Sequence, residues 1–283
     1  MLKQIDATTL YSAVRLAVRF SEYGELRQNV GIGTGFVLSD GPGRDAGRYL
    51  VTNRHVVDPN YEKDRRWQLA EAQIRGYFQH PRDPQSSPEW QEAVLATPVV
   101  HTLPPSAWHV DLAVLPLGTG NAVEVAFGSG RFNSLPVRSL ASQRDFHESR
   151  VTVGRQILMP GYPGIQERVA DRPILVGGVI ASDPRFPAAV GPHEMRAEVL
   201  CHAFSWEGMS GSPVLCLVPR APSWDDMESG ELSTEIVLAG VNAGHINVRD
   251  DAAAGAISRF VRSDVLVGLL RQAGANISNI LFP

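Results

Sequence analysis

Short runs of Val, Ile, Leu and Thr recur along this chain, and glycine or proline interrupts each one after a few residues; the 26 glycines and 20 prolines are spread throughout. Strands of about four to eight residues joined by turns fit between such breaks, whereas long helices do not. Residues 12–20 are the clearest case: Val14, Leu16, Val18 and Phe20 face one way, Arg15 and Arg19 the other. Further strands are expected at 35–39, 49–52, 72–78, 111–117, 151–158, 174–181, 195–201, 213–218 and 236–242. This regular spacing points to an all-β barrel or sandwich. One helix is expected at 264–273, capped by Ser263, with Val265, Leu266, Leu269 and Leu270 as its apolar stripe, Asp264 at its positive end and Gly274 as its stop. The polar, proline-containing stretches 58–71 and 219–234 read as surface loops, and 81–90 is turn-rich. A boundary between two halves falls near 133–145, with one compact unit as the other reading.

With 283 residues the chain can bury a core without disulfide or metal staples. Its 43% hydrophobic and 20% charged residues are those of a folded globular protein. A net charge of -4 and the lack of a Lys/Arg run argue against nucleic acid as partner. No segment reaches membrane-spanning length, and the N-terminus lacks the apolar run and cleavage site of a secretory signal, so no membrane partner and a cytoplasmic location are expected. Cys201 and Cys216 are too few for a disulfide framework and read as buried thiols of a reducing compartment. A single cross-link is the competing reading, because both lie in expected strands on either side of Ser210.

The chemistry centres on Trp206-Glu-Gly-Met-Ser-Gly-Ser-Pro-Val214, where glycines bracket Ser210 just before a strand. Gly208 and Gly211 allow a tight turn that projects the hydroxyl and converges backbone N–H groups on one point, although a plain hairpin turn has the same composition. A serine hydroxyl needs a base, and of the eight histidines only His55, at the end of the apolar Tyr49-Leu-Val-Thr-Asn-Arg-His-Val-Val57, has a rigid setting. His80 and His193 adjoin proline-rich turns, and His101, His109 and His147 lie in polar or irregular stretches. Asp111 opens the otherwise apolar Asp111-Leu-Ala-Val-Leu-Pro-Leu117, where a partly buried carboxylate needs a hydrogen-bonding partner such as an imidazole; a solvated strand-end aspartate is the bland alternative.

On these segments, together with Gly33-Thr-Gly-Phe-Val-Leu38 and Ala239-Gly-Val-Asn242, the chain resembles the trypsin/chymotrypsin-like serine peptidases. Within them it is similar to the bacterial branches of HtrA-type protease domains and glutamyl endopeptidases. The resemblance implies one peptidase domain over 1–283. Its fold would be two packed antiparallel six-stranded β-barrels, at about 8–138 and 146–250, with a C-terminal helix at about 263–273. It makes His55 the general base, Asp111 its orienting acid, Ser210 the nucleophile, and the N–H groups of Gly208 and Ser210 the oxyanion hole. The substrate would be protein or peptide, with a regulatory protein partner as a further expectation, and neither metal nor organic cofactor is called for. Met209 replaces the aspartate that zymogen-type relatives pair with a freshly cut N-terminus, so that activation step is not expected. The stretch after the helix is too short for a PDZ domain. Phe204 stands where trypsins carry the acid that selects Arg or Lys, which argues for a non-basic P1 residue, small or medium and apolar. Ser212 matches glutamyl endopeptidases, but Asn242 stands where their pocket histidine belongs, and His245 is out of that register. Asn242, Ala243 and Gly244 are expected to wall the pocket and pair with substrate backbone.

Two other enzyme classes fit less well. An α/β-hydrolase needs Gly-x-Ser-x-Gly and the order Ser, Asp, His, whereas residue 212 is Ser and both partners precede Ser210. Metal-dependent hydrolysis lacks a His-Glu-x-x-His or clustered Cys/His spacing. The non-enzymatic alternative is a catalytically silent or partner-activated protease fold used as a binding module.

Overall fold

In the computed structural model, the alternation of residues 12–20 becomes β1 (Ala13–Glu22), whose Val14, Leu16 and Val18 are fully buried. The structure describes residues 7–43, 46–61, 67–78, 83, 85–104, 110–118, 132–164, 172–190, 193–220, 234–246 and 257–277. Most of the expected loop at 219–234 lies outside these residues, as do His80 and His109.

The first half is a sheet of β1 with β2 (Glu25–Ser39), β3 (Arg48–Thr52), β4 (Gln68–Phe78), β5 (Glu89–Ala96), β6 (His101–Thr102) and β7 (Ala113–Gly118), in the order β5-β4-β1-β2-β3-β7-β6. A short β8 (Ser134–Pro136) runs parallel to β2. Among the described residues this half forms an eight-stranded sheet, where a six-stranded barrel was expected. Among the described residues its two edges do not pair: β6 is only two residues long, and its ladder is used on β7. The second half is a closed barrel of β9 (Gln156–Gly161), β10 (Ile174–Ile180), β13 (Glu198–Ala203), β14 (Pro213–Pro219), β15 (Thr234–His245) and β16 (Ile257–Arg262), in the order β10-β13-β16-β15-β14-β9. The barrel therefore runs past the expected end near residue 250, because β16 is needed to join β13 to β15. A small hairpin, β11 (Ala188–Val190) with β12 (His193–Met195), stands apart. Among the described residues the α-helices are α1 (Ala7–Leu10), α2 (Arg54–Val57), α3 (Gln143–His147) and α4 (Leu266–Gln272).

Differences from the sequence reading have local causes. β5 carries Glu89, Gln91 and Glu92, too polar to read as a strand, and owes its form to the antiparallel ladder on β4. Residues 151–155 turn instead of extending, because the Val151 amide bonds to the Asp145 carbonyl and Gly154 adopts φ +80°. Ser263 does not cap α4: it is buried in a short 3-10 turn and its hydroxyl donates to the Ala141 carbonyl at 2.8 Å. Gly274 does stop the helix, at φ +85°.

Each half has its own core. Val14, Leu16, Leu50, Ile74 and Leu115 pack in the first. Phe146, Ile157, Met159, Val214 and Phe260 pack in the barrel. A third cluster joins them: Leu112 and Val114, Leu158 and Leu238, and Leu266, Leu269 and Leu270 of α4. Cys201 and Cys216 are free thiols inside the barrel core, and burial pushes both thiols up to about 12. No described helix is long and apolar enough to cross a membrane.

Candidate active site

Leu50 and Val51 anchor β3 in the core, and after Asn53 the chain turns into the single-turn α2, which carries His55. Asp111 meets it from the neighbouring strand, just before β7, whose Ala113 pairs with Thr52 at the end of β3. Its Oδ1 accepts from the His55 backbone N–H at 2.9 Å, its Oδ2 lies 2.6 Å from His55 Nδ1, and its carbonyl accepts from Asn53 Nδ2 at 2.8 Å. These bonds draw Asp111 out of the strand expected at 111–117, so β7 starts at Ala113. Asp111 is 1% exposed, while the His55 side chain is partly open to solvent. A carboxylate can only accept, so the contact suits the tautomer in which Nδ1 is the donor.

Charges crowd around this pair. Arg54 Nε binds Asp58 Oδ2 at 2.8 Å, and its guanidinium lies 5.4 Å from the Tyr61 ring centre. Burial, reinforced by the negative charge of Asp111, pushes the Tyr61 hydroxyl up to about 12. Arg259 of β16 reaches both carboxylate oxygens of buried Glu198 at 2.7 Å. Burial alone would lower the Arg259 guanidinium, but Glu198, then Asp111 and Tyr61, outweigh it and hold it above its ordinary value.

Ser210 lies on the loop before β14, and Gly33 is where that loop meets α2. A Cβ on Gly33 would come within 2.8 Å of Val56 and 3.4 Å of the Ser210 carbonyl. The loop is held by its peptide groups. The Met209 N–H donates to Trp206 O, Gly211 N–H to Asn242 O and Ser212 N–H to Met209 O, while the Ser210 carbonyl accepts from Thr34 N–H at 2.8 Å. The N–H groups of Gly208 and Ser210, by contrast, donate to no acceptor among the described residues. Gly208 has φ +86°, and a Cβ there would strike the Gly164 amide nitrogen at 2.7 Å. A buried loop with two amides left unspent can receive an oxyanion.

The expected pocket residues divide. Gly244 faces the serine, since a Cβ built on it would lie 3.8 Å from Ser210 Oγ. Ala243 and Gly244 form a bulge where the β15–β16 register skips from Asn242 to His245. Phe204 is 47% exposed and packs against Trp206 with ring centres 4.5 Å apart. Asn242 differs from expectation. It is fully buried, its amide donates to Ser205 Oγ at 2.9 Å and Met209 O at 2.8 Å, and its backbone N–H and carbonyl serve Ser212 O and Gly211 N–H. It is a strut under the serine loop, and its backbone has nothing left to offer a substrate. A surface groove of about 640 Å³ between α3 and α4, lined by Arg144, His147 and Arg271 among others, includes none of these residues.

Two residues tied to the site went unassigned in the sequence. Asn53 sits inside the quoted histidine segment, and its only signal was a polar side chain at the end of an apolar strand. Thr34 stands between two glycines in a buried strand, a place where a lone hydroxyl must find a partner.

Among solved structures, the chain is similar to that of Deg5, with 17% identity over 92% of this chain and 88% of that one and a TM-score of 0.48. It is also similar to the active form of the Rv3671c protease from M. tuberculosis, with 18% identity over 95% and 84% and a TM-score of 0.50. Likeness at that level concerns the fold alone. No curated protein matches the sequence significantly. The family model described as "Trypsin-like peptidase domain" matches residues 33–217, well over half of the chain, from the glycine pair of β2 through the serine loop into β14. The chain therefore belongs to the trypsin-like peptidase family, whose members act on proteins and peptides.

Proposed function

We propose that the chain is a serine endopeptidase in which Ser210 is the nucleophile, His55 the general base and Asp111 the residue that orients and stabilises the imidazole. The contact that carries this reading is the pair of hydrogen bonds between buried Asp111 and His55, through the ring at 2.6 Å and the backbone N–H at 2.9 Å. That arrangement favours the tautomer in which Nδ1 donates to the carboxylate and Nε2 serves as the base. Ser210 Oγ attacks the scissile carbonyl as its proton passes to His55 Nε2. The tetrahedral oxyanion is received by the Gly208 and Ser210 N–H groups. His55 then returns the proton to the leaving amine, and water repeats the sequence on the acyl-enzyme to release the acid and regenerate the serine. In comparable enzymes, removing one oxyanion donor costs about 10²- to 10³-fold in turnover.

A non-basic P1 residue, small or medium and apolar, is supported by the half-exposed Phe204 against Trp206. The bulged Ala243 and Gly244 supply the backbone that a substrate strand would meet. The test is a fluorophosphonate probe and a fluorogenic peptide mixture applied to purified wild type. Labelling at Ser210 and hydrolysis are expected, both abolished in Ser210→Ala and labelling lost in His55→Ala. Hydrolysis that persists in Ser210→Ala would overturn the mechanism, and an unlabelled, inactive wild type would make the chain a binding module.

A further inference from the structure

Thr34 is fully buried in β2, and each of its polar atoms is engaged. Its N–H donates to Ser210 O at 2.8 Å, and its carbonyl accepts from Thr52 Oγ1 at 2.8 Å. Its hydroxyl donates to Gly208 O at 2.7 Å and accepts from the Tyr162 N–H at 3.0 Å. One side chain of the first sheet thus grips two separate loops of the barrel. We propose that the Thr34 hydroxyl is a positioning device for the oxyanion-binding amides, a role that rests on the peptidase reading above. Thr34 touches neither the reacting atoms nor the substrate; it acts through Gly208.

Two peptide planes meet at Gly208. Gly208 N–H belongs to the plane whose carbonyl, Glu207 O, accepts from the Gly164 N–H at 2.6 Å. The next plane carries Gly208 O, held by the Thr34 hydroxyl, and Met209 N–H, held by Trp206 O. Glycine at φ +86° has no side chain to resist rotation of either plane, so their orientation depends on these bonds. Without the hydroxyl the buried Gly208 O loses the bond that holds it, and the cheapest remedy is for the Gly208–Met209 plane to turn away. The Glu207–Gly208 plane is hinged to it at the Gly208 Cα, so the turn is passed on through that residue's φ and ψ, and the Gly208 N–H loses its aim at the oxyanion position. The backbone bond to Ser210 O does not need the threonine side chain, so the nucleophile itself stays in place.

Thr34→Val, of equal shape without the hydroxyl, is expected to lower kcat on a fluorogenic peptide cleaved by wild type by about 10- to 10²-fold, somewhat less than outright removal of a donor, with KM within about twofold. A peptide aldehyde, which binds as a tetrahedral adduct, should weaken in parallel with kcat. Thr34→Ser keeps the hydroxyl and should restore both to within a few-fold. If Thr34→Val does not fold, Thr34→Ala serves in its place. Wild-type rates and aldehyde affinity in the hydroxyl-less variant, or a loss confined to the melting temperature, would overturn the proposal. So would a serine variant as impaired as valine. An inactive wild type would instead bring down the peptidase reading, so the two failures are distinguishable.

Discussion

Gly211 shows how tightly the serine loop is seated on the first sheet. At φ +91°, a Cβ there would fall 2.0 Å from the Thr34 carbonyl oxygen and 2.4 Å from Thr52 Oγ1. Neither atom is the free end of a flexible side chain, since both take part in the Thr52–Thr34 bond. Gly211→Ala is therefore expected to destabilise the fold by at least about 2 kcal/mol and to abolish hydrolysis by displacing Ser210, as read from urea unfolding and turnover of a fluorogenic peptide. A variant as stable and active as wild type would show that the loop has room the packing denies. At this scale His55, Asp111 and Ser210 were legible because each stands out from an apolar or glycine-rich setting. The burial of Asn242 was not, because its amide partners, Ser205 and Met209, lie more than thirty positions away along the chain.

Among the elements, α3 is short but well specified. Ser142 and Asp145 form a reciprocal capping box, and Arg150 donates to Asp145 Oδ1 at 2.7 Å while also pairing with Glu235 of β15. Burial works against the Asp145 carboxylate, but the bonds from Arg150 and Ser142 outweigh it and hold the group below its ordinary value. A carboxyl depressed in the folded state adds stability that is complete above its unfolded value, about 3.9, and is lost as pH falls through the folded value. Asp145→Asn should thus be less stable than wild type at neutral pH, with the difference shrinking below about pH 4, as followed by denaturant midpoints across pH. A gap that stays constant into acid would assign the effect to packing. Local capping chemistry of this kind sits within four residues. Strand β5 was missed for the opposite reason: its polar composition says loop, and only the ladder on β4 makes it a strand.

Across the whole molecule, α4 is the keystone. Leu266, Leu269 and Leu270 are fully buried in a cluster that also holds Leu112 and Val114 of the sheet and Leu158, Leu215 and Leu238 of the barrel. The Asn276 N–H donates to Asp40 Oδ2 at 2.9 Å, pinning the chain beyond the helix to the β2–β3 turn. Because one apolar cluster serves both halves, they should unfold together. Leu269→Ala is expected to cost about 2–5 kcal/mol while keeping a single urea transition. Two resolved transitions would mean that the halves are stable independently of the helix.

By itself, the sequence determined that the chain is all-β and pointed to His55 and Asp111 as partners, because alternation, glycine punctuation and polar residues in apolar runs are short-range properties. Only the tertiary structure decided that the first half is an open sheet among its described residues, that Ser263 binds Ala141 instead of capping a helix, and that a threonine of β2 holds the serine loop. Those outcomes depend on which carbonyls and amides remain unpaired once the halves meet. Buried polar groups must then find partners, and in this protein the partners of the Thr34 and Ser263 hydroxyls are more than a hundred residues away.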